Sequence, residues 1–220
     1  MKKSKSRRQF RPAAIIIFIL VFVIVLVSAI SVYPQVKRYI TVFGTSKAEK
    51  LNLKTKKVPD YVTVELIDKG DARPGTKMKR INDVVIHYTG NPGTTAQNNR
   101  DYFAKPDTQV CSHFVIGLEG EIIQCIPLDE RSVASNNRNK DTISIEVCHP
   151  DSSGKFTEES YDSVVKLTAW LLDNCDLTEK NVIRHYDITG KECPKYYVNR
   201  KSAWKRLKKD IRTELNRIKK

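Results

Sequence analysis

Asp83-Val-Val-Ile-His87 is the stretch of sequence on which the fold prediction rests. A short run of β-branched apolar residues is typical of a strand buried inside a sheet. The histidine follows this run directly, so its position is fixed by the end of a core strand. We therefore expect a buried strand that ends at a potential metal ligand.

The segments around this strand predict a mixed α/β domain. Two apolar runs, residues 113–117 and 121–126, flank Gly120 and indicate a hairpin. Residues 142–148 alternate between apolar and polar side chains, as a strand does. The remaining expected elements are strands at 61–67 and 182–183, a short helix at 94–103, a helix that Thr157 caps, and a last helix whose apolar face carries Trp204, Leu207, Ile211, Leu215 and Ile218. The predicted fold is a mixed central sheet flanked by helices.

An uncharged apolar run at residues 13–32 precedes this domain. Twenty helical residues span roughly 30 Å, which matches the hydrocarbon core of a bilayer. A cleaved signal peptide is the alternative, but its apolar region is usually about 7–15 residues long, and Val27-Ser28-Ala29 matches a cleavage site poorly. The run predicts one N-terminal transmembrane helix.

Basic residues orient this predicted helix. Residues 1–12 carry six basic and no acidic side chains, whereas only Lys37 and Arg38 closely follow the run. The positive-inside rule places residues 1–12 in the cytoplasm and the rest of the chain outside it. We expect a single-pass protein of the cell membrane, with a stalk at residues 33–60 and an extracytoplasmic domain at 61–220.

The net charge of +14 is unevenly distributed. Residues 81–194 hold ten basic and eighteen acidic side chains, a net charge of −8, whereas residues 195–220 hold eleven basic and two acidic ones. A nucleic-acid-binding protein would gather basic charge on its folded core, so this pattern argues against a nucleic-acid partner. The basic face of the last helix is either simply solvated or faces anionic lipid or an anionic polymer.

The five cysteines, an odd number, leave several pairings open. One or two disulfides with a leftover thiol are possible, and one cysteine reserved for a metal fits the parity. Cys125 and Cys148 lie in apolar runs and also suit small buried positions.

Three side chains are candidate metal ligands, namely His87, His185 and Cys193. A catalytic zinc site needs three protein ligands and one open position, and imidazole and thiolate both suit zinc. The chain has no His-Glu-x-x-His helix and no Cys-x-x-Cys pair. Spacing alone therefore leaves a metal site as one interpretation among others.

Four blocks in order carry a more specific signal: Val-Val-Ile-His87-Tyr-Thr, Ser112 to Pro127, Ile143-Ser-Ile-Glu146, and Arg184-His-Tyr-Asp-Ile-Thr-Gly-Lys-Glu-Cys-Pro194. They resemble the N-acetylmuramoyl-L-alanine amidase family, of the type found in phage lysozyme-like amidases and peptidoglycan recognition proteins. The resemblance covers about residues 80–210.

This resemblance implies a zinc enzyme. His87 and His185 match the family's zinc histidines, and Cys193 matches the third ligand, which is Cys or Asp before a proline. The family fold is a mixed sheet with helices packed on it, and its groove takes the muropeptide stem. The expected reaction is hydrolysis of the amide bond between N-acetylmuramoyl and L-alanine in peptidoglycan, by a water that the zinc holds and a glutamate activates.

The resemblance also suggests which residues assist the zinc. Glu146 is the expected general base, since its strand neighbours point to the opposite face. Some phage members use a tyrosine before the hairpin histidine instead, but Ser112 stands there. Lys191 is the expected oxyanion-stabilising residue. The alternatives are that Glu146 is only a solvated strand residue and that Lys191 is only a solvated loop residue.

Other polar residues have less defined roles. His113 lies by the groove or is a packed histidine, His149 is expected to be structural or to lie at the surface, and Asp187 orients a ligand or caps a turn. Two other functions stay open, a non-catalytic peptidoglycan-binding domain and cleavage of a different amide in a small muropeptide. The presence of Cys193 favours the enzyme, because recognition proteins that do not cut often lack this ligand.

Overall fold

The computed structural model describes residues 51–220 together with Phe22, Val25, Ser28, Val32 and Tyr33. The chain divides into two units, Met1–Glu49 and Lys50–Lys220. No helix among the described residues is long and apolar enough to cross a membrane. The expected cytoplasmic tail at 1–12 and most of the expected anchor at 13–32 lie outside the described residues, so both stay predictions.

A six-stranded sheet forms the centre of the second unit, with the order β1-β4-β3-β5-β2-β6. All neighbours are parallel except the β3–β4 hairpin, so the predicted mixed sheet is confirmed. The strands are β1 (Thr63–Val64), β2 (Asp83–Ile86), β3 (Phe114–Ile116), β4 (Ile122–Gln124), β5 (Thr142–Val147) and β6 (Val182–Arg184).

Among residues 51–220, five α-helices accompany the sheet. They are α1 (Ala96–Phe103), α2 (Glu158–Asn174), α3 (His185–Thr189), α4 (Lys195–Asn199) and α5 (Lys201–Ile218). Of these, α1, α2 and α5 agree with the expected helices at 94–103, after Thr157 and at the C-terminus, whereas α3 and α4 were not predicted. Thr157 caps α2 as predicted, because its side chain accepts a hydrogen bond from the backbone N–H of Ser160 at 3.0 Å.

The two faces of the sheet carry separate apolar clusters. Ile143, Ile145 and Val147 of β5 face the larger cluster, which includes apolar residues of both α2 and α5. The opposite face packs against α1 through residues such as Val115 and Ile123. Side chains alternate along a strand, so Glu146 lies on the opposite face of β5 from Ile145 and Val147. It therefore points away from the larger cluster, towards the face that packs against α1.

The folded unit begins earlier than the sequence predicted. Asn52 donates a hydrogen bond to the carbonyl oxygens of Ile81 and Cys175 at 2.8 Å, and Val58 is buried in the larger cluster. Residues 51–60 therefore pack on the domain, and the expected boundary at residue 61 lies about ten residues too late. The signal was weak because this segment has no periodicity and forms no strand or helix.

All five cysteines are buried and free. Cys111, Cys125 and Cys148 lie in the smaller cluster, where they serve as small apolar side chains. The odd count therefore reflects unpaired thiols, and none of the disulfide pairings left open by the sequence is present.

A buried ion network ties the segment before β2 to the loop after β4. Arg73 Nε lies 2.8 Å from Glu130 Oε2, and Lys77 Nζ lies 3.1 Å from Glu130 Oε1. The side chains of Arg73 and Glu130 are 12% and 5% exposed, whereas Lys77 is 61% exposed and is screened by water. The hydrogen bond from Arg73 is the main cause that lowers the pKa of Glu130 below 4.5.

Replacing Glu130 by glutamine should lower the free energy of unfolding by about 2–4 kcal/mol at pH 7, because Arg73 then keeps a buried charge without a counterion. The native pKa is depressed, so this stabilisation is present above about pH 4.5 and is lost as pH falls through the native pKa. Urea denaturation from pH 7 to pH 3 measures both effects. Glu214→Gln is the matched control, since its partner Arg217 is 73% exposed, and it should change stability little. Equal effects of the two substitutions would contradict the assignment.

Candidate metal centre

Three ligand-type side chains meet at one edge of the sheet. His87 follows β2 directly, His185 begins α3 directly after β6, and Cys193 lies in the loop between α3 and α4. The candidate ligand atoms of these three buried residues all lie within 4.8 Å of one another. The structure thus brings together the three residues that the sequence singled out, although they are 106 residues apart at the extremes.

Parallel pairing explains why the histidines meet. Ile86 of β2 pairs with Arg184 of β6, so both strands end level and the next residue of each is a histidine. Cys193 returns to this edge because the backbone N–H of Tyr186 donates to its carbonyl oxygen at 2.9 Å. Gly190 allows that return, since it ends α3 with a left-handed φ of 77°.

The donor geometry fits a tetrahedral zinc ion. His87 Nδ1 lies 3.8 Å from Cys193 Sγ. Zinc bond lengths of about 2.1 Å to nitrogen and 2.3 Å to sulfur, at a tetrahedral angle, separate such atoms by about 3.6 Å. The rings of His87 and His185 lie with their centroids 4.7 Å apart. Two imidazoles and one thiol in this arrangement leave a fourth tetrahedral position for another ligand.

The electrostatics also suit a cation. Burial lowers the pKa of His87 well below 6.5 and lowers that of His185, so both rings are neutral and keep a lone pair. Burial raises the pKa of the Cys193 thiol to about 12. A thiolate at this position therefore needs a neighbouring positive charge, which a divalent ion provides.

The outward nitrogens of both rings face one loop. His87 Nε2 lies 3.3 Å from Ser135 Oγ, and His185 Nε2 lies 3.1 Å from Asn136 Oδ1. Since an amide oxygen only accepts, the second contact gives His185 a proton on Nε2 and leaves Nδ1 free to bind a metal. This loop follows β4 and contains the short 3-10 turn Asn136–Arg138.

Asn139 holds this loop in place. Its Oδ1 accepts hydrogen bonds from the backbone N–H groups of Ala134 at 3.0 Å and Ser135 at 2.6 Å. Asn136 has a left-handed φ of 53°, a conformation that asparagine tolerates better than most residues. The sequence analysis missed Ser135 and Asn136. The run of three asparagines within residues 136–139 signalled a loop but did not show which histidines it would meet.

Glu146 lies beside the three ligand atoms. Its Oε1 is 3.8 Å from His87 Nδ1, and its side chain is 19% exposed. Its Oε2 is buried and has no hydrogen-bond partner among the described residues. Burial raises the pKa of Glu146 to about 8, and the positive charge of Lys191 opposes that shift. A carboxyl group without a structural partner next to a ligand cluster is available for proton transfer.

Lys191 is exposed and lines the same groove as Glu146. Its positive charge adds to the effect of burial in lowering the pKa of His87 and His185, and it opposes the effect of burial on the pKa of Glu146 and Cys193. The expected oxyanion-stabilising role of Lys191 stays a prediction.

The remaining polar residues are structural. His113 is fully buried, with Nε2 2.8 Å from the carbonyl oxygen of Glu130, and burial lowers its pKa to about 4. It is therefore the packed histidine of the two alternatives. His149 Nδ1 lies 2.7 Å from the carbonyl oxygen of Asp151. Asp187 accepts from the backbone N–H of Arg184 at 2.8 Å and so caps α3 rather than approaching the cluster.

A groove of about 390 Å³ runs over the cluster. Polar and apolar side chains share its walls, as expected for a site that takes an extended ligand with a few fixed contacts. Besides the residues already described, it is lined by Tyr88, Thr89, Phe103, Val110, Cys111, Val133, Ala134 and Asn139. The sequence analysis did not predict these lining residues, because they come from four separate segments.

Curated proteins with similar sequences are amidases by name. The chain is 29% identical over 157 residues to the N-acetylmuramoyl-L-alanine amidase CwlL from Bacillus licheniformis, covering 63% of this chain and 43% of that protein. It is 28% identical over 165 residues to the N-acetylmuramoyl-L-alanine amidase BlyA from Bacillus subtilis (strain 168), covering 66% and 44%. The chain thus spans less than half the length of these relatives.

Solved structures share the fold. The catalytic domain of XlyA superposes with a TM-score of 0.60 at 27% identity, over 68% of this chain and 98% of that one. PlyL superposes with a TM-score of 0.62 over 70% of this chain and 98% of that one, and its 21% identity supports the fold alone.

The family model described as N-acetylmuramoyl-L-alanine amidase matches residues 77–196. This range includes the three ligand-type residues, Glu146 and Lys191. Because the match covers more than half of the 220 residues, the chain belongs to the N-acetylmuramoyl-L-alanine amidase family of enzymes.

Proposed function

We propose that this chain hydrolyses the amide bond between the N-acetylmuramoyl group and L-alanine in bacterial peptidoglycan. The observation that carries the proposal is the cluster of His87, His185 and Cys193 with Glu146 beside it, whose Oε2 has no hydrogen-bond partner in the part of the chain that the structure describes. The names of the relatives and the family match support the same reaction.

The residues that would hold a zinc ion are His87, His185 and Cys193, and their spacing fits it. When bound, zinc lowers the pKa of a coordinated water towards about 7 and polarises a carbonyl group. The protein supplies the remaining functions, which are orientation of the ligands, proton transfer and binding of the substrate.

Glu146 is the proposed general base. Its Oε2 has no hydrogen bond to give up among the described residues, so the carboxylate can take a proton from the attacking water. The protonated carboxyl can then give this proton to the leaving amine of L-alanine. Burial raises the pKa of Glu146 to about 8, and the positive charge of a bound zinc ion would lower it towards the carboxylate form that accepts a proton from water.

Lys191 is proposed to stabilise the negative charge that develops on the carbonyl oxygen. Lys191 lines the same groove as Glu146, and its exposed side chain is able to adjust to a bound substrate. The mixed lining of the groove provides contacts for the peptide stem.

We also propose that the chain is anchored in the cell membrane with this domain outside the cytoplasm. The support is the uncharged run at residues 13–32 and the six basic residues before it. Such an anchor would hold the site near the part of the wall that adjoins the membrane.

Cys193→Ala should abolish zinc binding and hydrolysis of purified wall, because two imidazoles alone bind zinc weakly. Cys193→Asp should keep part of both, since a carboxylate also binds zinc. Zinc content by atomic absorption and release of L-alanine amino termini are the measurements. Cys125→Ala, which removes an equally buried thiol outside the groove, is the control. A Cys193→Ala protein that keeps full turnover would exclude the proposed ligand set.

Glu146→Gln should keep zinc but lower the turnover of wall at least about 100-fold, because the amide cannot take the proton from water. Glu119→Gln, at an exposed turn position, should leave turnover unchanged. If Glu146→Gln binds muropeptide and hydrolyses it normally, the base is another group. If the wild-type chain binds wall without cutting it, the non-catalytic interpretation replaces the amidase.

Asn136→Ala should weaken zinc binding about tenfold, because His185 loses the acceptor that fixes its ring. Competition with a chromogenic chelator measures the affinity without any turnover. Asn137→Ala removes the neighbouring exposed amide, which has no contact to either histidine, and should leave the affinity unchanged. The same affinity for both variants would show that the loop does not position the ligand.

A further inference from the structure

A row of basic side chains runs along the exposed face of α5. We name Lys201, Lys205, Lys209, Arg212 and Lys219 the basic stripe; the first four lie on α5, Lys219 directly follows its last residue with helical backbone angles, and all five are exposed. At 100° per residue these positions fall within an arc of about 80°, and at about 1.5 Å per residue the stripe is about 27 Å long. The spacing places the charges in a line and not over the whole helix.

The four lysines of the basic stripe have no ion pair with any other residue that the structure describes, and Arg212 only reaches Glu179 at 4.0 Å. The charges beside the stripe are neutralised. Arg206 pairs with Asp210 at 3.6 Å, and Arg217 pairs with Glu214 at 2.6 Å.

On the other side of the stripe Lys208 turns inward. Its ammonium donates to the carbonyl oxygen of Val182 at 3.0 Å. Within α5 the basic residues on both sides of the stripe are engaged, so its unpaired positive charge follows a narrow line, and Lys220 adds one further exposed charge at the C-terminal end.

The basic stripe lies along β6 and leads to the ligand cluster. Trp204 lies 5.3 Å from the guanidinium of Arg184, Lys208 contacts Val182, and Arg212 is near Glu179. The helix thus runs antiparallel to β6, so its N-terminal end lies towards the end of β6 that His185 follows. A ligand that follows the stripe would extend towards the edge where the groove opens.

We infer that the basic stripe binds a linear phosphodiester polymer, of the polyol-phosphate class. The choice of a wall polymer rests on the proposed function, because peptidoglycan is then the surrounding material. A single line of ammonium groups matches a single line of phosphates and neutralises one charge per contact.

A membrane surface fits the same stripe less well. Helices that bind in the bilayer interface insert an apolar face beside their basic residues. Here the apolar face of α5, formed by Leu207, Ile211 and Leu215, is buried in the larger core cluster. A flat layer of lipid head groups would also be bound best by unpaired basic residues spread over a wide surface. Here Arg206 and Arg217, on the helix beside the stripe, are paired with acidic residues.

The test is binding of a fluorescently labelled synthetic poly(glycerol phosphate) to the full chain in neutral detergent, measured by anisotropy. Lys201→Gln/Lys205→Gln/Lys209→Gln should weaken binding at least tenfold at low salt. Five contacts predict that the logarithm of the affinity falls with the logarithm of salt concentration with a slope of about −3.5, and the triple variant should reduce this slope by about 2.

The matched control is Lys69→Gln/Lys79→Gln/Lys140→Gln, which removes the same charge from three scattered exposed positions. It should weaken binding less than threefold. Equal losses in the two triple variants would reduce the effect to net charge and overturn the proposal. Binding to phosphatidylglycerol in mixed micelles that depends on the stripe, without binding to the polymer, would assign the surface to membrane lipid and also overturn it.

Hydrolysis of a soluble muropeptide is measured in parallel. The Lys201/Lys205/Lys209 variant should turn it over like the wild type, because none of these residues lies in the groove. If the wild type does not hydrolyse the muropeptide, that result contradicts only the proposed amidase reaction. Binding of the polymer is measured separately and does not depend on catalysis.

Discussion

The parallel pairing of β2 with both β5 and β6 is the constraint on which the site depends. It makes three strands end at one edge, so that His87, Glu146 and His185 come together without any local motif. A shift of one residue in either register would move the next side chain to the opposite face of the sheet. The apolar side chains of β5 prevent that shift, because Ile143, Ile145 and Val147 would leave the core.

Much of the fold was predictable, because the apolar runs of β2 and β5 and the cap at Thr157 are local signals. The start of the unit was not, since residues 51–60 are held by hydrogen bonds to distant residues and by isolated apolar contacts, neither of which leaves a periodic pattern in the sequence. The count of cysteines alone could not predict the disulfides, because a cysteine serves either as a small buried side chain or as a disulfide partner. In the structure all five cysteines are buried and unpaired.

The site shows the same division between local and distant information. His87, His185 and Cys193 could be singled out because their residue types are those of metal ligands, and the family resemblance specified which of several candidates would meet. Ser135 and Asn136 could not, because serine and asparagine are common in loops and their function comes only from the position of the loop. Glu146 lies between these cases, since its place in an alternating strand predicted its face but not its unpaired oxygen.

The contacts of Ser135 and Asn136 have a consequence for how the centre assembles. One short loop touches both imidazole rings, and Asn139 fixes that loop through two backbone N–H groups. The two histidines are thereby mechanically coupled, and a disturbance on one side of the loop reaches both. The centre should therefore form or fail as a unit, and natural variation within this loop would retune the whole cluster while every ligand stays unchanged.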